Sequence, residues 1–598
     1  MSAAFLAAFV LALGGCLAAG AEWQNALRPD GKPASPVQLV KNGKSLASIH
    51  FKGEPTAPMK KAAADLQQWI QEMTGAKLGI GTGPAPRGGV VIETDATLGD
   101  EGYSIRVLQG RLVLSGGRTR GVINAVYALL EEDLGCRFYT KDSVRLPATN
   151  TLVITPVERR FTPQLRLRDP YYRVAFDPVW SLRNRANAPG AEVPEDFGGR
   201  MDYSGMFVHT AAQIVPAEKY FQEHPEYFAL QANGTRSTAQ LCATHPEVAN
   251  IAIACVRETL QRNPHTEILS VSKNDNTEVC HCERCVRLRT DEGSDMANQL
   301  TLVNQVADAV KQSHPGLIID TLAYLETIRV PRTMRPRPNV AIRLCNDSVG
   351  AWSRPFTPAE RCDVAKLVAD WGAVHNQIYI WDYNVNFSHY LAPMPNVDIM
   401  AANIQFWVKH HAQGVMLQGG YQGPAERDEL KCWVMAKLLW NPAWDEVALT
   451  KDFIWGHYRQ AAPVMLEYEQ LLASMRKQHA TLLDSPPGGI RYPMDSPFFT
   501  KEFVDGATSV FARAKELAGQ DVTVKQRIER AELPILYVKC VRGPDWVGTS
   551  YPDVVASFER IARREKIQFL QEGGPDFEAK LAEYKKRIPQ GTSRQPPL

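Results

Sequence analysis

An α/β chain with a central (β/α)8 TIM-like barrel, a small α/β domain before it and a helical region after it is predicted by three observations. Between residues 160 and 442, short apolar runs alternate with amphipathic helical stretches. About eight such runs in roughly 280 residues is barrel size. Before residue 156 strand and helix signals are mixed, and after Trp440-Asn441-Pro442 the strand signals give way to long helical periodicities. A doubly wound open sheet is the alternative that the same alternation allows.

Residues 1–21 are small and apolar, end in Ala19-Gly20-Ala21, and read as a secretory signal, although the usual positive charge at the start is absent. Leu13-Gly14-Gly15-Cys16 also fits a lipoprotein signal with Cys16 lipidated, and the two processing events exclude each other. Both predict export, to the periplasm, the medium or a lipid anchor at the cell envelope. No other segment approaches the ~20 apolar residues of a membrane span. Residues 36–156 hold the strands Gly89–Ile92 and Leu112–Ser115 and the helices Ala57–Thr74 and Thr119–Leu134. Val122, Ala125, Val126, Leu129 and Leu130 fall at helical spacing in the second helix. No phosphate-cradling glycine motif occurs there, so no cofactor is expected.

Across residues 160–442 the expected strands are Gln164–Asp169, Tyr203–His209, Ala239–Ala243, Glu267–Asn274, Leu317–Tyr324, Val340–Cys345, Gln377–Asp382 and Gly414–Gln418. Helices Pro246–Arg262, Asp295–Gln312, Pro358–Trp371 and Pro395–His410 lie between them. Residues 443–588 read as helical, over Asp445–Met475, Pro497–Leu517, Val522–Val541 and Tyr551–Phe569. The net charge of +2, with no basic stripe, sets nucleic-acid binding aside. Twelve Trp and nineteen Tyr belong mostly to the core but lean toward sugar-stacking surfaces.

A barrel carries its chemistry at the C-terminal ends of its strands. Those positions hold His209, then Asn274 and Asp275, then Tyr324 and Glu326, then Asn346 and Asp347. Trp381, Asp382 and Tyr383 follow the seventh strand, and Tyr421, Gln422, Glu426 and Glu429 the eighth. Carboxylates, amides and aromatics on one rim are the composition of a sugar site. Glycoside hydrolysis needs two carboxyl groups flanking the scissile bond. Each residue has a plainer reading: Asp275 between two asparagines as an Asx turn, Asp347 and Glu429 as helix-start acids, Glu326 as a solvated charge, His209 as a structural histidine.

Cys280-His281-Cys282-Glu283-Arg284-Cys285 packs three cysteines into six residues. A disulfide within it, or with Cys242 at a neighbouring strand end, suits an exported chain. A metal site is one alternative, although no second Cys/His pair follows downstream, and free thiols are the other. A catalytic cysteine is not expected.

Gly121-Val122-Ile123-Asn124-Ala125-Val126-Tyr127-Ala128-Leu129-Leu130-Glu131, running into Leu134-Gly135-Cys136-Arg137-Phe138-Tyr139, resembles the N-terminal domain of family-67 α-glucuronidases. The non-catalytic N-terminal domain of family-20 hexosaminidases is similar. The central part resembles the domain-of-unknown-function 4838 family of exported bacterial proteins. It does so through His224-Pro225-Glu226-Tyr227-Phe228, Leu241-Cys242, Ser272-Lys273-Asn274-Asp275-Asn276 and Ala436-Lys437-Leu438-Leu439-Trp440-Asn441-Pro442. Together these resemblances span roughly residues 36 to 475. They imply a small α/β domain, a hydrolase-like barrel and a helical C-terminal part. In family-67 enzymes a glutamate acid follows the fourth strand, where this chain has Asp275, and base carboxylates lie on later strands, where it has Asp347 and Asp382. The Asp-Glu pair of family-20 enzymes is absent, because Asn276 follows Asp275. No His-Glu-x-x-His occurs, so peptidase chemistry is unsupported.

The expectation is therefore a glycoside hydrolase acting on a polysaccharide or oligosaccharide. Asp275 is its acid and Asp382 or Asp347 its base or nucleophile, while His209, Asn274, Tyr324, Glu326, Trp381, Tyr383 and Glu426 hold the sugar. A non-catalytic glycan-binding surface lipoprotein is the rival.

Overall fold

The central apolar runs are rich in Ile, Val and Leu, and in the computed structural model six of them pair as one parallel sheet. In chain order its strands are β1 (Leu167–Asp169), β2 (Ile268–Ser270), β3 (Ile318–Ala323), β4 (Val340–Asn346), β5 (Ile378–Tyr383) and β6 (Ala412–Gln418). Their spatial order is β1-β6-β5-β4-β3-β2, and every ladder is parallel. The structure describes residues 22–81, 83–187, 190–346, 352–483 and 489–589.

Side chains alternate across this sheet with the strand period of two. Ile378 and Ile380 turn outward and join Trp371 and Trp407 of the crossover helices Cys362–Val374 and Met400–Lys409. Tyr379 and Trp381 turn to the opposite face, with Ile318, Leu322, Ala341, Cys345 and Met416. The sheet curls about that second face.

Among the described residues the chain forms a six-stranded half-barrel, and the expected eight-stranded barrel is corrected accordingly. Two expected strands are missing for separate reasons. In 203–209 the backbone carries positive φ at Ser204, Gly205 and His209 (48°, 80° and 54°), which no ladder accommodates. Asn187, Met201 and Met206 nevertheless bridge the opening: Arg168 N donates to Asn187 Oδ1 (2.8 Å), Met201 N to Asn187 O (3.1 Å) and Ser270 N to Met206 O (2.8 Å). The 239–243 run belongs to an antiparallel hairpin, Phe228–Leu230 with Arg236–Leu241, closed by the Asn233-Gly234 turn.

Toward the N-terminus a second, mixed six-stranded sheet has its centre in Arg111–Gly116 and Val90–Thr94. Helix Ala57–Thr74 packs on it, capped by Thr56, whose hydroxyl accepts from Met59 N, and ended by Gly75 at φ 75°. Gly116 has a steric reason: a Cβ there would lie 1.9 Å from Val122 N, so only glycine lets helix Gly121–Ala128 start against the strand end. Beyond residue 445 the chain is helical, in Glu446–Tyr458, Ala462–Leu483, Lys501–Leu517, Val522–Arg542, Tyr551–Arg564 and Phe577–Lys586. Their apolar faces and the outer face of the parallel sheet share one continuous hydrophobic cluster.

A buried ionic network ties the N-terminal elements to this body. Arg137 pairs with Asp452 at 2.7 Å, both fully buried, and Tyr139 OH and Trp23 Nε1 donate to the same carboxylate at 2.6 and 3.0 Å. Lys437 Nζ reaches both oxygens of Glu131 (2.7 and 2.8 Å), which also pairs with Arg185. Asp452→Ala, leaving Arg137 buried without a counter-charge, is expected to cost about 3–5 kcal/mol. Calorimetry should show a clear fall in thermal midpoint, recovered in part in the double variant Arg137→Met/Asp452→Leu, which removes the unpaired charge but leaves Tyr139 OH and Trp23 Nε1 without their acceptor. An unchanged midpoint in the single variant would count against the pair.

Candidate active site

The inward-facing positions at the C-terminal ends of the parallel strands open into a cavity of about 400 Å³. Leu322, Cys345, Trp381, Tyr383, Met416 and Gln418 come from β3 to β6 or their ends, and Tyr171 follows β1. Phe207, Val208 and His209 come from the irregular segment in the gap, and Asp275 from the loop after β2. Ile490, Arg491 and Glu572 arrive from the helical C-terminal part. The walls are aromatic. Trp381 stacks on Tyr383 (5.9 Å, 21°), Tyr171 lies 5.5 Å from Tyr421, and Trp381 Nε1 is fixed by Gln418 Oε1 at 2.7 Å.

Six of the residues singled out in the sequence meet here: His209, Asp275, Tyr324, Trp381, Tyr383 and Tyr421. Asp275 is exposed on the cavity wall. His209 keeps its left-handed backbone, and its Nδ1 lies 3.0 Å from Lys273 O, which joins the gap segment to the Asp275 loop. Its ring meets Tyr324 edge-on at 6.4 Å.

The others lie elsewhere. Asp382 stands between Trp381 and Tyr383 on one strand, so the period of two turns it to the opposite face. It is buried, receives Asn384 Nδ2 at 3.2 Å, and is not part of the cavity wall. Glu426 is buried against Arg427 (2.5 Å) and Lys431 (2.7 Å). Burial pushes that carboxyl up, but the two cations outweigh it and hold it below its ordinary value. Glu326 pairs with Lys273 at 3.0 Å. Asn274 is a fastener, its amide donating to Ala239 O (2.8 Å) and its oxygen accepting from Ala212 N (3.2 Å). Asp382, expected as base, and Glu426, Glu326 and Asn274, expected to hold the sugar, thus lie off the wall of this cavity, by side-chain direction or by pairing. Asp347 lies outside the described residues.

Two polar groups of the cavity, Glu572 and Arg491, escape a reading by strand ends, and a third beside it ends an expected strand without being among the expected site residues. Glu572 accepts from Tyr421 OH (3.3 Å) and from Arg491 Nη2 (2.5 Å), and its own N–H donates to Phe387 O (2.8 Å). Gly573-Gly574-Pro575 after it marks a loop, but nothing local says that the loop returns to the sheet. The third is Asp169 at the end of β1, in register with the floor residue Met416 and sharing its face. It is wholly buried, and both carboxyl oxygens lack a hydrogen-bond partner.

Burial raises the Asp169 carboxyl to about 7, with Arg343 partly opposing the shift. Between roughly pH 4 and 7 the folded state therefore holds a proton that the unfolded chain releases. Rising pH weakens the fold across that window by up to about 1.4 kcal/mol per pH unit. Asp169→Asn removes the effect, so its thermal midpoint should gain on the wild type from pH 4 to 7 and level off above. A constant difference across that range would overturn the assignment.

No curated protein matches this chain. Among solved structures, it is similar to a GH20 exo-β-N-acetylglucosaminidase from Vibrio harveyi at 12% identity and a TM-score of 0.41, covering 73% of this chain and 78% of that one. A GH138 enzyme targeting pectin rhamnogalacturonan II matches at 11% identity and 0.43, over 91% and 99%. The GH20 β-N-acetylhexosaminidase of Streptomyces coelicolor A3(2) matches at 13% and 0.41, over 73% and 97%. One family model, described as a domain of unknown function (DUF4838), matches residues 138–470, more than half of the 598-residue chain, and the chain belongs to that family.

Proposed function

We propose that the cavity binds a saccharide and hydrolyses a glycosidic bond, on a barrel-like scaffold acting outside the cytoplasm. One observation carries the reading: an aromatic-walled cavity at the C-terminal strand ends has two carboxylates, Asp275 and Glu572, entering it from unrelated parts of the chain. Aromatic faces suit the apolar faces of sugar rings, and a pair of carboxyl groups is what glycoside cleavage requires. In this reading Asp275 protonates the departing oxygen. Glu572, steadied by Arg491 and Tyr421, acts as base or nucleophile. The Met1–Ala21 segment supports the extracytoplasmic setting.

The test is a panel of polysaccharides and aryl glycosides assayed with the purified protein. On any substrate found, Asp275→Asn and Glu572→Gln are each expected to lower turnover by about 10²–10⁴-fold, with thermal midpoints within a degree or so of wild type. Asp382→Asn should leave the chemical step far less affected. Saturable glycan binding by calorimetry with no hydrolysis would favour the non-catalytic rival. Full turnover in Asp275→Asn would remove that residue from the chemistry.

A further inference from the structure

The four cysteines Cys242, Cys280, Cys282 and Cys285 come together behind the loop that carries Asp275. Their Sγ atoms all lie within 4.8 Å of one another, with Cys242 3.6 Å from Cys282 and 3.9 Å from Cys285. These are unbridged thiols, so the disulfide expected among them is not formed. The spacing has another reading. A tetrahedron of sulfurs about 2.3 Å from a central zinc has edges of about 3.8 Å.

We propose that this cluster binds one Zn²⁺ through four thiolates, as a structural site. Several features point to a built site. Leu230 N–H donates to Cys280 Sγ (3.4 Å), Thr244 Oγ1 lies 3.1 Å from Cys285 Sγ, and Arg289 Nη2 donates to Cys280 O (2.6 Å). Such outer contacts orient the ligands of a metal. Three of the four cysteines are buried, whereas His281 within the motif is exposed and stands outside the cluster. An all-sulfur tetrahedral set selects a soft cation and excludes calcium and magnesium. Binding displaces a proton from each thiol, four in all, and fills every ligand position. The ion therefore has no place for water or substrate.

The site has a mechanical task. Cys242 ends the hairpin, and two residues earlier Gln240 clamps the Asp275 loop. Its Oε1 accepts from Asn274 N (3.1 Å), and its Nε2 donates to Asn274 O (2.8 Å) and Asn276 Oδ1 (2.9 Å). Cys280 closes the same loop. Zinc thus fastens hairpin and loop at one point while Gln240 fastens them at another, and residues 274–280 are held between. This stands whether or not the cavity hydrolyses a glycoside.

Elemental analysis of the full-length chain, purified without added metal, is expected to find one zinc per chain. Cys282→Ser and Cys285→Ser should lower that at least tenfold, while Cys540→Ser, a buried thiol elsewhere, should not. If the cluster variants fail to fold, cobalt exchange into the wild-type protein decides. Thiolate-to-cobalt charge-transfer bands together with tetrahedral d–d bands are expected. Iron in place of zinc, absence of both metal and cobalt bands, or a non-reduced mass lowered by disulfides mapped to these cysteines would each overturn the proposal.

Discussion

Everything about the cavity depends on the parallel sheet being held against two bodies that are not part of it. The buried charges at Arg137–Asp452 and Glu131–Lys437 do much of that holding. Ion pairs of this kind add little net stability over apolar residues of the same shape, but they are costly to break one partner at a time. They therefore specify a docking geometry. Lys437 and Asp452 sit on neighbouring helices, Asp428–Trp440 and Glu446–Tyr458, so one rigid corner receives both Glu131 and Arg137. Burial lowers Lys437 to about 8, so its charge depends on Glu131 staying opposite it.

From that corner the geometry propagates to the strand ends. Helix Asp428–Trp440 packs beneath β1 with Trp440 between Arg168 and Arg185, each 5.2 Å from its ring. Arg168 in turn is bound to Asn187, the first link across the gap where a seventh strand would run. The irregular segment that follows is what gives His209 its position. A regular strand there would have closed the sheet but carried no left-handed histidine to the cavity wall.

Much of this was legible in the sequence, and the failures have specific causes. Six expected strands formed, most of them where apolar residues dominate the run, although β1 carries only Leu167 beside Arg168 and Asp169. Tyr203–His209 was misread because a Ser-Gly pair in a left-handed conformation leaves no mark on hydrophobic pattern. Asp382 could not have shared a wall with both of its neighbours. Trp381, Asp382 and Tyr383 cannot all face one side of a strand, and the two aromatics face the cavity. Glu426 was betrayed by Arg427 beside it and Lys431 beyond, cations that a buried acid needs. Cys242 was legible as a partner of the cysteine cluster, but Arg491 and Glu572 lay out of reach, because tertiary folding brings Glu572 to Arg491, Tyr421 and Phe387 from 81, 151 and 185 positions away.

The cavity's far wall, built from Glu572 and Arg491, has a consequence for the order in which the molecule is made. Ribosomes deliver the chain from one end, so the aromatic floor and Asp275 are complete long before Glu572 emerges. Until then the rim is open along one side, and Tyr421 and Arg491 have no carboxylate to bind. A nascent chain would thus hold every strand of its parallel sheet before this wall is built. The wall is completed late and all at once, by a short loop that follows the whole sheet in the chain.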